Sequence, residues 1–374
     1  MALLSRYHDH LAALEAQARR RALAPRAGID FASNDYLGLA GDPRLADAAR
    51  AALDRRVATG SGGSRLLRGN DPEHEALERE AAAFFAAEAA LFVSSGFAAN
   101  AAALSTLPQT GDHVFADELI HASMHEGLRL ARCGYSLLPH NDADAVADAI
   151  AAWRAGGGIG TPWIAVESLY SMDGDRAPLA DLAEIAARHD AMLLVDEAHA
   201  AGVFGDAGRG LAAAFAPSPN LVRLVTLGKA YGCEGALLLL PAVLKDMLIN
   251  RARGVIFTTA PSPLMAAVAR GAIATVAADA ERRARLFALA RHAGASLAPL
   301  GVAISGSQIL PLVIGEDART MAVAERVQAA GFDVRGIRPP TVPPGTARLR
   351  ISITCNIGES DIDALADTIE KALA

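Results

Sequence analysis

Between residues 88 and 260, short apolar runs alternate with alanine-rich stretches of helical character. The runs share a near-continuous hydrophobicity and are "AALFVSS", "HVFAD", "YSLLPH", "WIAVES", "AMLLVDEA", "LVRLVTLG" and "GALLLL". A strand with one solvated face would instead alternate apolar and polar residues. The pattern therefore predicts an α/β fold built on a mostly parallel, seven-stranded sheet that is buried on both faces.

Helix starts and a later change of pattern predict three parts of the chain. Residues 1–40 are predicted to form an N-terminal helix, ending near Pro25, and an arm; residues 41–265 form the large domain. Residues 266–374 form a smaller α+β C-terminal domain, because a long Ala- and Arg-rich tract there leads to a second set of strands and helices. Asp42 and Asp71, each followed by proline, are predicted N-caps.

Composition and charge narrow the function classes. The 374 residues are 52% hydrophobic, enough for a large core, and the net charge of −7 argues against nucleic-acid or anionic membrane surfaces as partners. The longest apolar run, "GALLLLPAVL", is too short to cross a bilayer and is predicted to be a buried strand followed by a helix. The cysteines, at positions 133, 233 and 355, lack disulfide or zinc spacing, and with no signal-peptide pattern a cytoplasmic location is expected.

Lysine is rare in this chain and occurs only at positions 229, 245 and 371. Lys245 and Lys371 lie in helix-like, partly charged surroundings, where a solvated ammonium group is expected. Lys229 instead follows the apolar run "LVRLVTLG" and is flanked by glycine and alanine. This context predicts a buried or reactive amine.

The preceding strand end carries complementary groups. "AMLLV" is followed by Asp196-Glu-Ala-His199, and ligands bind beyond the carboxyl ends of strands in open α/β sheets. A carboxylate and an imidazole beside a desolvated lysine can hold an electron-poor ring and a Schiff base. The combination with Lys229 predicts pyridoxal 5'-phosphate (PLP) as cofactor, with Asp196 stabilising the protonated pyridinium.

Two other interpretations of these strand ends compete with this one. "DEAH" also marks helicase-type nucleoside triphosphatases, but those need G-x-x-x-x-G-K-[ST], and Gly228-Lys229 is followed by Ala230. Gly96-Phe97 follows the first strand and opens a helix, which suits a phosphate but is also ordinary architecture.

His121 and His125 in "HASMHEG" have a spacing that could place both on one helix face. The motif is not H-E-x-x-H and no third ligand lies nearby, so no metal site is predicted. A buried, hydrogen-bonded histidine is the competing interpretation for His121.

These residues belong to a longer series of motifs that resembles the α-oxoamine synthase family of fold-type I PLP enzymes. The series runs in order over nearly the whole chain: "SNDYLGL" (33–39), "GSGGSRLLRG" (60–69), "HEALE" (74–78), "SGFAAN" (95–100), "HAS" (121–123), "ESLYSMDGD" (167–175), "DEAHAAGVFGDAGRG" (196–210), "TLGKAYGCEGA" (226–236) and "IRPPTVPPGTARLR" (337–350). Two stretches depart from the pattern: the segment before "SNDYLGL" is shorter, and Cys355-Asn356-Ile357 replaces small residues followed by histidine.

The resemblance implies roles around the cofactor. Lys229 would carry it covalently, Asp196 would pair with the pyridinium and His199 would bond the phenolic oxygen. The other positions that match cofactor-binding residues are Ser168, Gly96, Phe97, Thr226 and, stacked on the ring face, His121.

Further roles implied by the resemblance concern substrates and a second subunit. Arg350 matches the position that binds the amino-acid carboxylate, and Arg19 and Thr341 match positions assigned to the acyl substrate or product. Family members are homodimers, and Thr258 or Thr259 would reach the phosphate of the partner subunit.

The implied reaction is a decarboxylative condensation of L-alanine with a pimeloyl thioester, carried by CoA or acyl carrier protein, in biotin biosynthesis. "RPPTVP" before "GTARLR" favours this member. The alternatives within the family are 5-aminolevulinate synthase, 2-amino-3-ketobutyrate CoA ligase and serine palmitoyltransferase, which use glycine or serine with other thioesters.

Overall fold

The computed structural model describes residues 2–374. Strands β1 to β12 span, in order, Ile29–Asp30, Ala89–Val93, His113–Asp117, Gly134–Leu138, Pro162–Glu167, Met192–Asp196, Leu221–Thr226, Ala236–Leu240, Ile309–Gly315, Phe332–Asp333, Arg335–Ile337 and Ala347–Ser352. Helices α1 to α13 span Ser5–Ala16, Pro43–Asp54, Pro72–Phe84, Gly96–Thr106, Ala122–Leu130, Ala143–Ala155, Leu179–Arg188, Ala242–Arg251, Arg253–Ile256, Pro263–Ala278, Ala280–Leu297, Asp317–Ala329 and Glu359–Leu373.

The chain divides into two compact units. The larger unit comprises Leu37–Tyr170 and Arg176–Arg283, and the smaller unit comprises the described residues up to Tyr36, Ser171–Asp175 and Ala284–Ala374. The change to the smaller unit therefore comes later in the chain than the predicted residue 266. Helix α10 stays with the larger unit because it packs against α2 and α3.

A seven-stranded sheet forms the centre of the larger unit, with the strand order β2-β8-β7-β6-β5-β3-β4. Strands β3 to β7 pair in parallel, whereas β8 runs antiparallel to both β7 and β2. The predicted α/β class with a mostly parallel sheet is confirmed. The prediction of burial on both faces is wrong for β4, an edge strand that pairs only with β3 and in which Tyr135 and Leu137 are exposed.

Local signals explain where several helices begin and end. The Asp42 side chain accepts a hydrogen bond from the backbone N–H of Arg44 at 2.9 Å, and Asp71 caps α3 in the same way through Glu73. Both predicted caps are confirmed. The N-terminal helix is shorter than predicted and ends at Ala16, because Ala18 turns out of the helix at φ 54°.

The apolar run "GALLLLPAVL" forms strand β8 and the start of α8, as predicted. Across residues 2–374, no single helix is both long and apolar enough to cross a membrane. One bent pair, Pro263–Ala278 with Ala280–Leu300, meets those criteria of length and composition together, with an angle of 72° between its halves.

The smaller unit contains the predicted α+β elements of the C-terminal region. Strands β11, β12 and β9 form an antiparallel sheet in that order, and α12 packs against both this sheet and α13. The N-terminal arm joins this unit because β1 pairs in parallel with β10.

Candidate active site

The predicted site residues of the larger unit lie at one edge of its sheet. The parallel strands β5, β6 and β7 end at Glu167, Asp196 and Thr226, and Asp196 is in register with Glu167 and Leu224 on either side. Because parallel strands end at the same edge, the segments that follow them are neighbours. The sheet thus brings together the segments that carry Ser168, His199 and Lys229.

Lys229 lies in the turn between β7 and β8 and is half-buried. Its Nζ lies 2.7 Å from His199 Nε2, so the two side chains share a hydrogen bond. His199 is itself buried, with 4% of its surface exposed. The lysine amine is therefore held at a fixed point by a group that can donate or accept a proton.

Lys245 differs from Lys229 in the partner of its amine. Its Nζ forms an ion pair with Glu78 at 2.8 Å, and Glu78 is 4% exposed. The predicted solvated ammonium is wrong here, because a buried carboxylate that Arg65 also contacts lies within reach of the side chain. Lys245 has a structural counterion, whereas Lys229 is bonded to an imidazole.

Cys233, in the same turn as Lys229, is a structural residue. Its backbone N–H donates to Leu227 O at 2.8 Å, which closes the turn before β8. Burial raises the pKa of its thiol to about 11, so the thiolate is scarce at neutral pH.

Asp196 is buried and held by two hydrogen-bond donors. Its Oδ1 accepts the backbone N–H of Ala198 at 2.8 Å, and its Oδ2 accepts Asn100 Nδ2 at 2.7 Å. The two donors hold one carboxyl oxygen each. The site therefore presents a buried carboxyl group of fixed orientation at the end of β6.

His121 caps helix α5 and is not buried as the competing interpretation supposed. Its Nδ1 accepts the backbone N–H of Ser123 at 3.2 Å and lies 2.8 Å from Ser123 Oγ. The residue is exposed as a whole, but partial desolvation of the imidazole lowers the pKa of His121, an effect that the nearby Asp196 opposes and Lys229 reinforces. The ring is therefore neutral at pH 7.

Asn100 and Ser123 belong to this site although the sequence assigned them no role. Both are buried, and Asn100 Nδ2 donates to Ser123 Oγ at 2.9 Å as well as to Asp196. Both residues stand inside quoted motifs, "SGFAAN" and "HAS". The sequence signal for Asn100 was a single amide side chain on an alanine-rich helix. This signal could not identify its role, because its hydrogen-bond partners lie on α5 and β6.

Glu197 and Ser168 lie behind Asp196. Glu197 is fully buried and accepts hydrogen bonds from Ser168 Oγ at 3.0 Å and from the backbone N–H groups of Leu211 and Ala212. Burial raises the pKa of the Glu197 carboxyl, against the effect of these donors and of Arg223. This acid of "DEAH" supports a loop, which removes the main basis for a magnesium-binding interpretation.

The first turn of α4 follows β2. Ser95 caps the helix by accepting the backbone N–H of Ala98 at 3.1 Å, and Gly96 and Phe97 are the first two helical residues. Their N–H groups have no partner within the helix, as at every helix N-terminus, and they suit an anion. A Cβ on Gly96 would lie 3.6 Å from Thr226 Cβ, so this turn and Thr226 lie close together.

Other predicted residues lie outside this group. Thr258 and Thr259 are exposed in the segment between α9 and α10. Arg350, Arg19 and Thr341 belong to the smaller unit, where Thr341 is exposed and Arg19 Nε forms an ion pair with Asp317 at 2.7 Å.

Arg350 is buried on β12 and donates to four neutral oxygens. They are Ser171 O at 2.6 Å, Ser352 Oγ at 2.7 Å, Asn34 Oδ1 at 3.0 Å and Tyr36 Oη at 3.3 Å. Within residues 2–374, Arg350 forms no ion pair with a carboxylate. A buried guanidinium without a counterion can accept an anionic group.

The donor set in the larger unit fits PLP. The Lys229 amine suits the aldehyde of the cofactor and the Asp196 carboxyl suits its ring nitrogen. The two imidazoles suit the ring oxygen and the ring face, and the N-terminus of α4 suits the phosphate. Asn100 Nδ2 donates to Asp196 and to Ser123, whereas the buried Oδ1 has no hydrogen-bond partner. The two donated bonds therefore set the orientation of the amide.

Comparisons with known proteins point to the same class. The chain matches the aminotransferase class I and II family over residues 26–369. The 8-amino-7-oxononanoate synthase of Burkholderia thailandensis is 43% identical, with both chains covered in full. That of Anaeromyxobacter dehalogenans is 42% identical over 97% of this chain and 94% of its own.

Solved structures give the same result. A serine palmitoyltransferase from S. paucimobilis with bound PLP and myriocin superposes with a TM-score of 0.89 at 25% identity, over 100% of this chain and 98% of its own. An 8-amino-7-oxononanoate synthase from Francisella tularensis superposes with a TM-score of 0.77 at 28% identity, over 92% and 97%.

The matched range contains Asp196, His199 and Lys229. It also extends over most of both units, so the likeness is not confined to one element. The resemblance to α-oxoamine synthases inferred from the motifs is confirmed. The chain belongs to the class I and II aminotransferase family, and within it to the group formed by its 8-amino-7-oxononanoate synthase relatives.

Proposed function

We propose that this chain is a PLP-dependent acyltransferase that condenses L-alanine with a pimeloyl thioester, giving 8-amino-7-oxononanoate, carbon dioxide and free thiol. The observation that carries the proposal is the 2.7 Å pair of Lys229 Nζ and His199 Nε2 beside the buried Asp196. Relatives 42–43% identical over nearly the full chain carry the name of this activity.

The residues of the larger unit would hold the cofactor at five points. Lys229 would bind its aldehyde carbon, Asp196 its ring nitrogen, and His199 with Ser168 its ring oxygen, while His121 would cover one ring face. The first turn of α4 and Thr226 would hold the phosphate. When bound, PLP supplies an electron-poor ring that stabilises negative charge at the α-carbon of an amino acid.

Lys229 is the proposed base of the reaction. Nζ must be neutral to remove the α-proton of alanine, and its half-buried position disfavours a free ammonium charge. His199 Nε2, at 2.7 Å, orients the amine and can share its proton. The same nitrogen returns a proton to the product carbon after carbon dioxide has left.

Arg350 is the proposed partner of the alanine carboxylate. Its neutral hydrogen-bond acceptors fix the orientation of the guanidinium without neutralising its charge. Thr341 is exposed and is proposed to contact the acyl substrate or product. Arg19 is proposed for the same role, for which its ion pair with Asp317 would have to open or be shared.

Assembly and location complete the proposal. We expect a homodimer in which Thr258 or Thr259 binds the phosphate in the partner subunit; both side chains are exposed and available for this. The acyl group would arrive on CoA or on acyl carrier protein. None of the three cysteines forms a disulfide, which supports a reducing compartment such as the cytoplasm.

A sister activity has one observation in its favour, the TM-score of 0.89 with serine palmitoyltransferase. That score reports the shared backbone, whereas substrate choice depends on side chains. The identity with that enzyme is 25%, against 43% with an 8-amino-7-oxononanoate synthase. Alanine with a pimeloyl donor is therefore the preferred pair.

The experiment offers purified enzyme L-alanine, glycine or L-serine with pimeloyl, acetyl, succinyl or palmitoyl thioesters and follows thiol release. The proposal predicts the highest kcat/KM for alanine with the pimeloyl donor. A preference for another pair would overturn the substrate assignment. Lys229→Ala should lose at least about 10³-fold in kcat, since it removes the base and the covalent link. The matched control Lys371→Ala, at an exposed lysine, should not change kcat.

A further inference from the structure

A chain of hydrogen bonds connects two parts of the proposed cofactor site through residues that have no role in the function argued above. It runs from Asp196 at the end of β6, through Asn100 on α4 and Ser123 on α5, to His121 at the cap of α5. The three links measure 2.7 Å, 2.9 Å and 2.8 Å. Three separate elements must therefore be in place for the chain to form.

The orientation of the Asn100 amide follows from its neighbours. Nδ2 lies against Asp196 Oδ2, and turning the amide over would place its oxygen against that carboxylate oxygen. The same NH2 group supplies its second hydrogen to Ser123 Oγ. The remaining amide oxygen is buried without a hydrogen-bond partner.

The other end of the chain fixes the protonation of His121. The backbone N–H of Ser123 points to His121 Nδ1 at 3.2 Å, so this ring nitrogen acts as an acceptor. Ser123 Oγ already accepts from Asn100 and donates its own hydrogen to the same Nδ1 at 2.8 Å. In a neutral ring the proton then lies on Nε2.

We propose that Asn100 and Ser123 are positioning residues of the cofactor site: Asn100 fixes the Asp196 carboxylate toward the ring nitrogen of PLP, and Ser123 holds His121 as the Nε2–H tautomer. The proposal deepens the proposed function and rests on it for the identity of the cofactor. The hydrogen-bond chain itself is a property of the protein.

The two residues act on different targets, which makes them separable. Asn100 is 1% exposed and supplies one of the two donors that hold Asp196, the other being the backbone of Ala198. Without Asn100, the Asp196 carboxylate keeps only the backbone N–H of Ala198 of these two donors, and its orientation is less firmly fixed. Ser123 reaches His121 but does not contact Asp196, so its loss leaves the Asp196 bond intact.

The first test measures the His121 tautomer by nitrogen-15 NMR of histidine-labelled protein, with and without PLP. His121→Gln assigns the signal. The expected result is a proton on Nε2 in the wild-type protein at pH 7. Ser123→Ala keeps the backbone N–H donor and loses only the hydroxyl donor, so its Nδ1 nitrogen-15 signal should shift toward that of a more weakly hydrogen-bonded acceptor. A wild-type His121 with its proton on Nδ1 would overturn the proposal.

The second test measures PLP affinity by absorbance titration of the apoenzymes. Asn100→Leu should raise the dissociation constant at least about tenfold, as the loss of a supporting hydrogen bond to a ligating group does elsewhere. Ser123→Ala should stay within about threefold of wild type. Ser105→Ala, which removes a hydroxyl from α4 that donates only within its own helix region, is the control and should match wild type.

Two readouts separate a positioning role from a merely structural one. Thermal denaturation of the apoproteins shows whether Asn100→Leu is folded, and Ser123→Ala keeps the test valid if it is not. With PLP saturating, Ser123→Ala should lower kcat and leave the alanine KM unchanged within about twofold. Unchanged PLP affinity in a folded Asn100→Leu variant would overturn the role of Asn100.

These results are independent of the substrate assignment. If wild-type enzyme binds PLP but does not turn over alanine with the pimeloyl thioester, the proposed function fails while the NMR and affinity results still decide the inference. If turnover is normal and PLP affinity is unaffected by Asn100→Leu, only the inference fails.

Discussion

Lys229 and Lys245 show at the residue scale how neighbours decide what an amine can do. Lys245 lies against the buried carboxylate of Glu78, and the ion pair fixes the position of its side chain. Lys229 lies against the His199 imidazole, with which it can exchange a proton. The sequence predicted the apolar context of Lys229, but it could not reveal Glu78 beside Lys245, because the two positions lie far apart along the chain.

The site residues that the sequence supplied are those whose spacing is local. Asp196 and His199 are three residues apart after one strand, and Lys229 follows the next strand. Asn100 and Ser123 could not be found in the same way, because their role depends on how α4 and α5 pack beside β6.

Glu197 gives a prediction about pH. Because burial raises the pKa of this carboxyl in the folded protein, the folded state holds the proton over a pH range in which the unfolded chain, with a pKa of about 4.3, has lost it. Stability from this group is therefore full below about pH 4 and is lost as pH rises through the folded pKa.

The variant Glu197→Gln mimics the protonated carboxyl and isolates this effect. Urea denaturation of both apoproteins between pH 4 and pH 8 should show the wild-type free energy of unfolding falling relative to that of Glu197→Gln as pH rises. A difference that is constant with pH, or that grows in favour of wild type, would contradict the raised pKa.

At the scale of elements, the turn between β7 and β8 carries both the proposed catalytic lysine and a glycine in a left-handed conformation. Gly232 in this turn has φ 61°, and its N–H donates to Lys229 O at 2.9 Å. A Cβ at this position would lie 2.3 Å from the carbonyl carbon of Leu39. Glycine is thus required both for the left-handed conformation and for the close approach of the two backbones.

We expect Gly232→Ala to destabilise the protein by at least about 2 kcal/mol and to reduce kcat by displacing Lys229. Gly254→Ala is the matched control, since a Cβ there meets nothing within 4 Å and its φ is ordinary. Thermal denaturation and steady-state kinetics measure both effects. Wild-type stability and kcat in Gly232→Ala would show that the turn does not constrain the lysine.

The elements themselves were largely predictable because their signals are local. All seven apolar runs form strands of the central sheet, and the Asp42 and Asp71 caps start α2 and α3. The errors have tertiary causes. The exposure of β4 follows from its place at the sheet edge, and α1 ends early at a left-handed alanine that composition does not mark.

At the scale of the whole molecule, the sequence predicted the class of the two parts better than their boundaries. Only Asp279 separates helix α10 from α11 along the chain, yet α10 packs with α2 and α3 in the larger unit. Ser171–Asp175 belongs to the smaller unit although it lies between segments of the larger one. The unit to which each segment belongs depends on contacts between segments that are distant in sequence. Boundaries placed at single positions along the chain cannot describe such contacts.

The central claim is that Lys229 carries the cofactor, and the small number of lysines makes it directly testable. Holoenzyme is reduced with borohydride, digested and mapped by mass spectrometry, with free PLP removed beforehand. Since lysine occurs only at positions 229, 245 and 371, each candidate falls in a separate peptide. We expect the pyridoxyl adduct on Lys229 alone. An adduct on Lys245 or Lys371, or no adduct in a PLP-saturated enzyme, would show that Lys229 does not carry the cofactor.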